Sequence, residues 1–122
     1  METSISETEW KIMKILWERS PLSAGEILSL LQADDPSWHP KTAQTLIGRL
    51  VKKGALGFQA QGRGYLYHPL VSEEECIDQE STSFLERVFG GSLKPMLAHF
   101  VEHRKLSKKE INELKRILEE RK

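Results

Sequence analysis

Residues 39–54, HPKTAQTLIGRLVKKG, decide the fold of this chain. Pro40 stands at the first helical position and Gly54 stands just past the last, where these residues commonly mark helix ends. Apolar residues between them recur at helical spacing, at Ala43, Leu46, Ile47, Leu50 and Val51. The stretch therefore predicts one amphipathic helix with both of its ends marked.

The opposite face of this helix carries hydrogen-bond donors and small residues and no carboxylate. Its members are Lys41, Thr42, Gln44, Thr45, Gly48, Arg49 and Lys52. Because a polyanion is attracted by cations and repelled by carboxylates, this composition favours contact with nucleic acid.

The charges of the chain are segregated along the sequence. Lysine and arginine number 18, and so do aspartate and glutamate, which gives a formal net charge of zero. All 18 acidic residues lie outside the window from Pro36 to Val71. The window holds the basic residues Lys41, Arg49, Lys52, Lys53 and Arg63. The distribution, rather than the total, indicates a cationic surface in the middle of the chain.

Length and composition exclude several classes of protein. A chain of 122 residues has room for one ordinary core, or for a small domain with an appendage. No apolar run approaches the roughly 20 residues of a membrane span, and no signal peptide precedes the first helix. We expect a cytoplasmic protein without membrane insertion. The single cysteine, Cys76, excludes an internal disulfide framework and a multi-cysteine zinc site, and we expect it to be a small packing residue.

No catalytic pattern stands out. The sequence contains no HExxH motif, no phosphate-binding glycine loop and no evident catalytic triad. We therefore expect neither an enzyme nor a bound cofactor. His99 and His103 are four residues apart on a predicted helix, but two ligands without a clear third make a poor metal site, so we predict none.

The segments around the basic helix complete a recognisable order. Ser6 with Glu9 and Ser23 with Glu26 are capping-box patterns, which predict a helix ending near Arg19 and another running to about Ala33. After Gly54, two short β-prone runs surround a glycine-rich turn with Arg63 at its tip. Three helices followed by a two-stranded hairpin predict a mainly α fold with a small β-hairpin, a winged helix-turn-helix over residues 1–72.

Residues 73–122 predict a helical dimerisation domain. Capping boxes at Ser72 with Glu75 and at Ser107 with Glu110 begin two of its helices. A unit of this size cannot bury its large apolar side chains alone. Pairing with a second copy of the chain is the simplest way to bury them. The residues assigned to the dimer are Phe84, Leu85, Val88, Leu97, Phe100, Val101, Ile111, Leu114, Ile117 and Leu118.

Three segments together resemble the BlaI/MecI family, the penicillinase and methicillin-resistance repressors of bacteria. They are SETEWKIMKILWE (6–18), HPKTAQTLIGRLVKKGAL (39–56) and SFLERVFGGSLKPMLAHFVEHRKLSKKEINELKRILEE (83–120). The resemblance implies a homodimeric transcriptional repressor whose winged helix binds a dyad-symmetric DNA operator. It also implies control of β-lactam-resistance-type genes, with repression relieved by proteolysis downstream of a membrane sensor.

The resemblance implies roles for individual residues. The family's recognition helix falls on residues 40–52, with Lys41, Thr42, Thr45 and Arg49 facing the groove and Gln44 beside them. By residue type, Arg49 suits a guanine edge and Thr45 a thymine methyl group. Lysines suit phosphates, which position a protein without reading sequence. The DNA-binding assignment thus comprises Lys41, Thr42, Gln44, Thr45, Arg49, Lys52, Lys53 and Arg63.

The family's cleavage site, an Asn-Phe bond, aligns with His99 and Phe100. The phenylalanine matches and the asparagine does not, so cleavage here depends on a protease that accepts imidazole. Two alternatives to a cleaved repressor remain open at this point. One is a winged-helix regulator that responds to a small molecule and is not relieved by proteolysis, and the other is a winged helix used for protein contact.

Overall fold

The structure, a computed structural model, describes residues 4–121. It confirms a mainly helical chain with a small antiparallel sheet. The elements in chain order are α1 (Glu7–Glu18), β1 (Leu22–Ser23), α2 (Ala24–Asp34), α3 (Pro40–Lys52), β2 (Leu56–Gln61), β3 (Gly64–Pro69), α4 (Glu73–Phe89), α5 (Leu93–Glu102) and α6 (Lys108–Glu120).

The chain divides into two compact units, residues 1–80 and 81–122. The division falls inside α4, whereas the predicted domains meet at the start of that helix. Cys76 in the first turn of α4 is buried with the core of the first unit, so the start of this helix packs with that unit. The expectation that Cys76 serves as a packing residue agrees with its 5% exposure.

The core of the first unit is built from the apolar stripes of α1, α2 and α3. Its buried hydrophobic members are Ile5, Ile12, Met13, Leu16, Ile27, Leu31, Ala43, Leu46, Ile47, Leu50, Ala55, Leu56 and Cys76. Trp10 and Trp17 are only partly buried and pack against this core with their rings 5.4 Å apart. The Trp17 indole donates to the Val71 carbonyl at 2.9 Å, which ties α1 to the chain beyond the sheet.

The predicted helix ends are confirmed. In each of the four predicted capping boxes, the serine hydroxyl accepts from the glutamate backbone N–H, and the serine N–H donates to the carboxylate. At the end of α3, Gly54 has φ +83°, a conformation that glycine adopts without steric cost. The Ala55 N–H then donates to the Leu50 carbonyl at 2.9 Å, which completes a Schellman motif. β2 begins at the next residue.

The sheet has three strands rather than the two that the sequence predicted. β2 and β3 form the hairpin, and β1 pairs with the other edge of β3, giving the order β1-β3-β2. β1 consists of Leu22 paired with Tyr67 and Ser23 paired with Leu66. A strand of two residues is too short to show alternation, and Ser23 also caps α2, so no local pattern predicts this strand.

One ion pair joins the start of α1 to the end of α3. The Glu9 carboxylate is 1% exposed, and its Oε1 accepts from the Ser6 N–H at 2.8 Å and from the Lys53 ammonium. Lys53 also donates to the Ser4 carbonyl at 2.7 Å. Burial raises the pKa of Glu9, but the hydrogen bonds from Lys53 and Ser6 outweigh it and hold the pKa below its ordinary value.

The second unit buries no side chain completely: every described residue from 81 to 121 is exposed or partly exposed. Of the residues assigned to the dimer, Leu85, Leu97, Phe100, Ile111 and Leu114 are partly buried. The others, Phe84, Val88, Val101, Ile117 and Leu118, are exposed. Within residues 4–121, no helix has the length and apolarity that crossing a bilayer requires.

Replacing Lys53 tests the ion pair. Lys53→Met leaves the Glu9 carboxylate buried without a cation, so we expect the free energy of unfolding to fall by about 2 to 3 kcal/mol at pH 7. The neighbouring Lys52→Met is the matched control, because Lys52 is exposed and we expect a change within about 0.5 kcal/mol. Urea unfolding measures the free energy of unfolding of both variants. An equal loss in the two variants would contradict the structural role of the Lys53–Glu9 ion pair.

The same pair predicts a dependence on pH. The pKa of Glu9 is lower in the folded state, so its contribution is complete above the ordinary value of 4.5 and is lost as the pH falls through the folded-state pKa. We therefore expect the difference in stability between the wild type and Lys53→Met to shrink in acid. A difference that stays constant from pH 7 to below pH 4.5 would contradict this.

Candidate nucleic-acid interface

α3 begins with a cap from an unusual side chain. Nδ1 of His39 accepts a hydrogen bond from the Lys41 N–H at 3.1 Å. Pro40 occupies the first turn, where a backbone N–H has no partner within the helix, so proline's lack of an N–H loses no hydrogen bond. Ala43, Leu46, Ile47 and Leu50 are buried. This anchoring confirms the predicted amphipathic helix and determines which face is left to solvent.

All seven residues predicted for the outer face of α3 are exposed: Lys41, Thr42, Gln44, Thr45, Gly48, Arg49 and Lys52. Four of them, Lys41, Thr42, Thr45 and Arg49, line one shallow depression together with His39 and Leu46. The structure thus brings together the four residues predicted to face the groove. Gln44 and Lys52 lie on the same exposed face but outside this lining.

Thr45 is oriented by its own helix. Its hydroxyl donates to the Lys41 carbonyl at 2.9 Å, one turn earlier. Because this bond uses the hydroxyl proton, the oxygen keeps only its acceptor capacity toward a ligand. Thr45 is therefore suited to accept from a base donor or to offer its methyl group to thymine.

The cations on this surface are not neutralised by nearby acids. The two ion pairs among residues 4–121 are Lys14 with Glu73 and Lys53 with Glu9. Lys41, Arg49, Lys52 and Arg63 take part in neither pair. Their charge is available to an anion from outside the chain.

Lys53 is the exception among the predicted DNA-binding residues. Its ammonium bonds the Glu9 carboxylate and the Ser4 carbonyl, and its side chain is 34% exposed. The structure therefore separates Lys53 from the exposed face of α3 and gives it a structural contact. The sequence shows only a second lysine at the helix end and cannot distinguish the two roles.

The hairpin places Arg63 in its turn, exposed, beside Gly62 with φ +60°. Its strands also carry an aromatic cluster that the sequence analysis did not single out. Phe58 lies across from Tyr67, and the Phe58 and Tyr65 ring centroids are 5.0 Å apart. Phe58 and Tyr65 are about half exposed. The alternation of Tyr65 and Tyr67 was the available signal, since residues two apart share one face of a strand.

The candidate cleavage residues lie in α5. His99 is exposed and Phe100 is partly buried. Among the described residues, no three histidine, cysteine, aspartate or glutamate side chains are grouped as a metal site. Burial raises the pKa of the Cys76 thiol, and the nearby Glu75 raises it further, so the thiolate is disfavoured.

The sequence of the chain is similar to known repressors along most of its length. The penicillinase repressor family profile matches residues 5–120. The penicillinase repressor of Bacillus licheniformis is 42% identical over 118 residues, covering 97% of this chain and 91% of that protein. The methicillin resistance regulatory protein MecI of Staphylococcus aureus strain N315 is 37% identical over 114 residues, covering 93% of this chain and 92% of that protein.

Solved structures match the winged-helix part. The solution structure of the DNA-binding domain of the repressor BlaI has a TM-score of 0.55 and 37% identity, covering 60% of this chain and 88% of that one. The monomeric form of Bacillus licheniformis BlaI in complex with the blaP half-operator has a TM-score of 0.50 and 36% identity, covering 59% and 87%. By its sequence and its fold, the chain belongs to the penicillinase repressor family.

Proposed function

We propose that this chain is a transcriptional repressor that binds a palindromic DNA operator as a homodimer. The observation that carries the proposal is the exposed face of α3, on which Lys41, Thr42, Thr45 and Arg49 line one depression without a neutralising acid. The likeness to BlaI in complex with its half-operator supports DNA as the ligand.

The roles of the side chains follow from their chemistry. Arg49 presents a planar fork of donors that matches the acceptor pair on a guanine edge, and Thr45 offers an acceptor and a methyl group. Lys41 and Lys52 bind phosphates, and Arg63 on the hairpin turn reaches the backbone or the minor groove. Each bound cation releases condensed counterions, so affinity falls steeply with salt.

The homodimer is supported by the exposed apolar surface of the second unit. Val88, Val101, Ile117 and Leu118 are each about half exposed or more, and the unit has no fully buried residue of its own among those described. Covering these side chains with a second copy removes them from water. The two-fold axis then places two copies of α3 in major grooves separated by about one helical turn, or a multiple of it.

Release from DNA follows from loss of the dimer. A monomer contacts one half-site and loses the second set of phosphate and base contacts, so its affinity is far lower. The His99-Phe100 bond is the proposed cleavage point for a protease acting downstream of a membrane sensor. A cut there separates Leu97 from Val101, two of the residues assigned to the dimer. The genes proposed to be controlled are those of β-lactam resistance.

Arg49→Ala tests the reading of sequence by α3. We expect a loss of about 1 to 3 kcal/mol in binding to the operator and a smaller loss on random duplex, because a base contact is removed. Lys52→Ala is the matched control on the same face, and we expect it to weaken both duplexes equally and to lower the salt slope by about one. Fluorescence anisotropy titrations measure the affinities of the wild type and both variants for the two duplexes. If Arg49→Ala weakens both duplexes equally, Arg49 is not a base reader.

Leu118→Glu tests the dimer. Leu118 is 62% exposed in one copy, so a charge there leaves the single chain folded but opposes burial between copies. Leu70→Glu is the control, because Leu70 is 57% exposed in the first unit and is not assigned to the interface. We expect light scattering to give a dimer for the wild type and Leu70→Glu, and a monomer for Leu118→Glu. An unchanged mass for Leu118→Glu would contradict this interface.

A further inference from the structure

Two histidines stand side by side on α5, in the second unit. His99 and His103 are both exposed, and their ring centroids are 4.1 Å apart with the ring planes at 32°. Residues four apart lie one above the other on a helix face, so the backbone itself holds the rings together. Neither residue belongs to the set assigned to DNA binding.

A hydrogen bond determines which nitrogen of His103 can act as a ligand. Nδ1 of His103 lies 2.9 Å from the carbonyl oxygen of His99. A carbonyl only accepts, so Nδ1 carries the proton and donates it. Nε2 of the neutral ring then carries a lone pair. Donation from one ring nitrogen to a backbone carbonyl is the usual arrangement of a metal-binding histidine, because it sets the tautomer and the ring orientation.

The spacing of the rings suits one ion. Two nitrogens bound to a tetrahedral Zn²⁺ at 2.0–2.1 Å from the metal lie roughly 3.3 Å from each other. The ring centroids of His99 and His103 are 4.1 Å apart, close enough for both imidazoles to approach one ion. His103 is also the C-cap of α5, where the negative end of the helix dipole favours a bound cation.

The sequence predicted no metal site because this pair lacks a third protein ligand, but the structure adds a fixed tautomer for His103 and two adjacent rings. We propose that His99 and His103 chelate a divalent transition-metal ion of the Zn²⁺ class. Each chain supplies one nitrogen from each ring, and water completes the coordination. Imidazole nitrogen is a preferred ligand for zinc, nickel and copper(II), whereas magnesium and calcium prefer oxygen. The bound ion cross-links the His99 and His103 side chains across the last turn of α5. The buried thiol of Cys76, with its raised pKa, does not compete.

Titration of the metal-free full-length protein with ZnCl₂ tests the chelate. We expect calorimetry to detect binding, EDTA to reverse it, and Mg²⁺ at the same concentration to give none. His103→Gln and His99→Gln should each lower the zinc association constant by at least about tenfold, or ~1.4 kcal/mol, since each leaves a single imidazole. His68→Gln, which replaces a histidine in β3, is the matched control and should leave zinc binding unchanged.

The site of binding is checked separately by the ring resonances. We expect zinc to shift the Nε2 signal of His103 in a nitrogen NMR spectrum and to leave that of His68 in place. Both exposed positions tolerate glutamine, and circular dichroism verifies that the variants are folded. Zinc binding that is absent in the wild type, or as tight in His99→Gln and His103→Gln as in the wild type, would overturn the proposal.

Discussion

The arrangement of this molecule depends on the burial of one helix stripe. Ala43, Leu46, Ile47 and Leu50 are each at most 6% exposed, and removing them from water holds α3 against α1 and α2. The same packing presents Lys41, Thr45 and Arg49 to solvent, because residues on the two faces of a helix cannot exchange places without unpacking the core. Stability and the proposed recognition of DNA are therefore two consequences of one helical periodicity.

The two ends of α3 are held by different means, and both serve its outer face. His39 caps the first turn, while Gly54 and the Lys53–Glu9 pair secure the last. Among residues 4–121, Glu9 is the one buried charged residue, and the Lys53 ammonium compensates its charge. A lysine beside the proposed interface thus contributes to the position of α3 rather than to its exposed charge.

The sequence predicted the features that follow from periodicity and capping, and missed those that depend on tertiary contact. The helix ends at Ser6, Ser23, Ser72 and Ser107 were predictable because each capping box is encoded within four residues. The pairing of β1 with β3 was not, since it joins residues far apart in sequence through a two-residue strand. The role of Lys53 depends on Glu9, 44 positions earlier, and no local pattern reveals that contact. The hydrogen bond that sets the tautomer of His103 likewise became visible only in the structure.

In the proposed complex, two copies of α3 read DNA together about a two-fold axis. Selecting the sequences that the wild-type protein binds from a pool of random duplexes tests this arrangement. A two-fold symmetric complex selects DNA whose sequence has the same symmetry. We expect an enriched palindrome whose half-sites are separated by about one helical turn or a multiple of it. Enrichment of a single unrepeated half-site, or of no sequence at all, would contradict it.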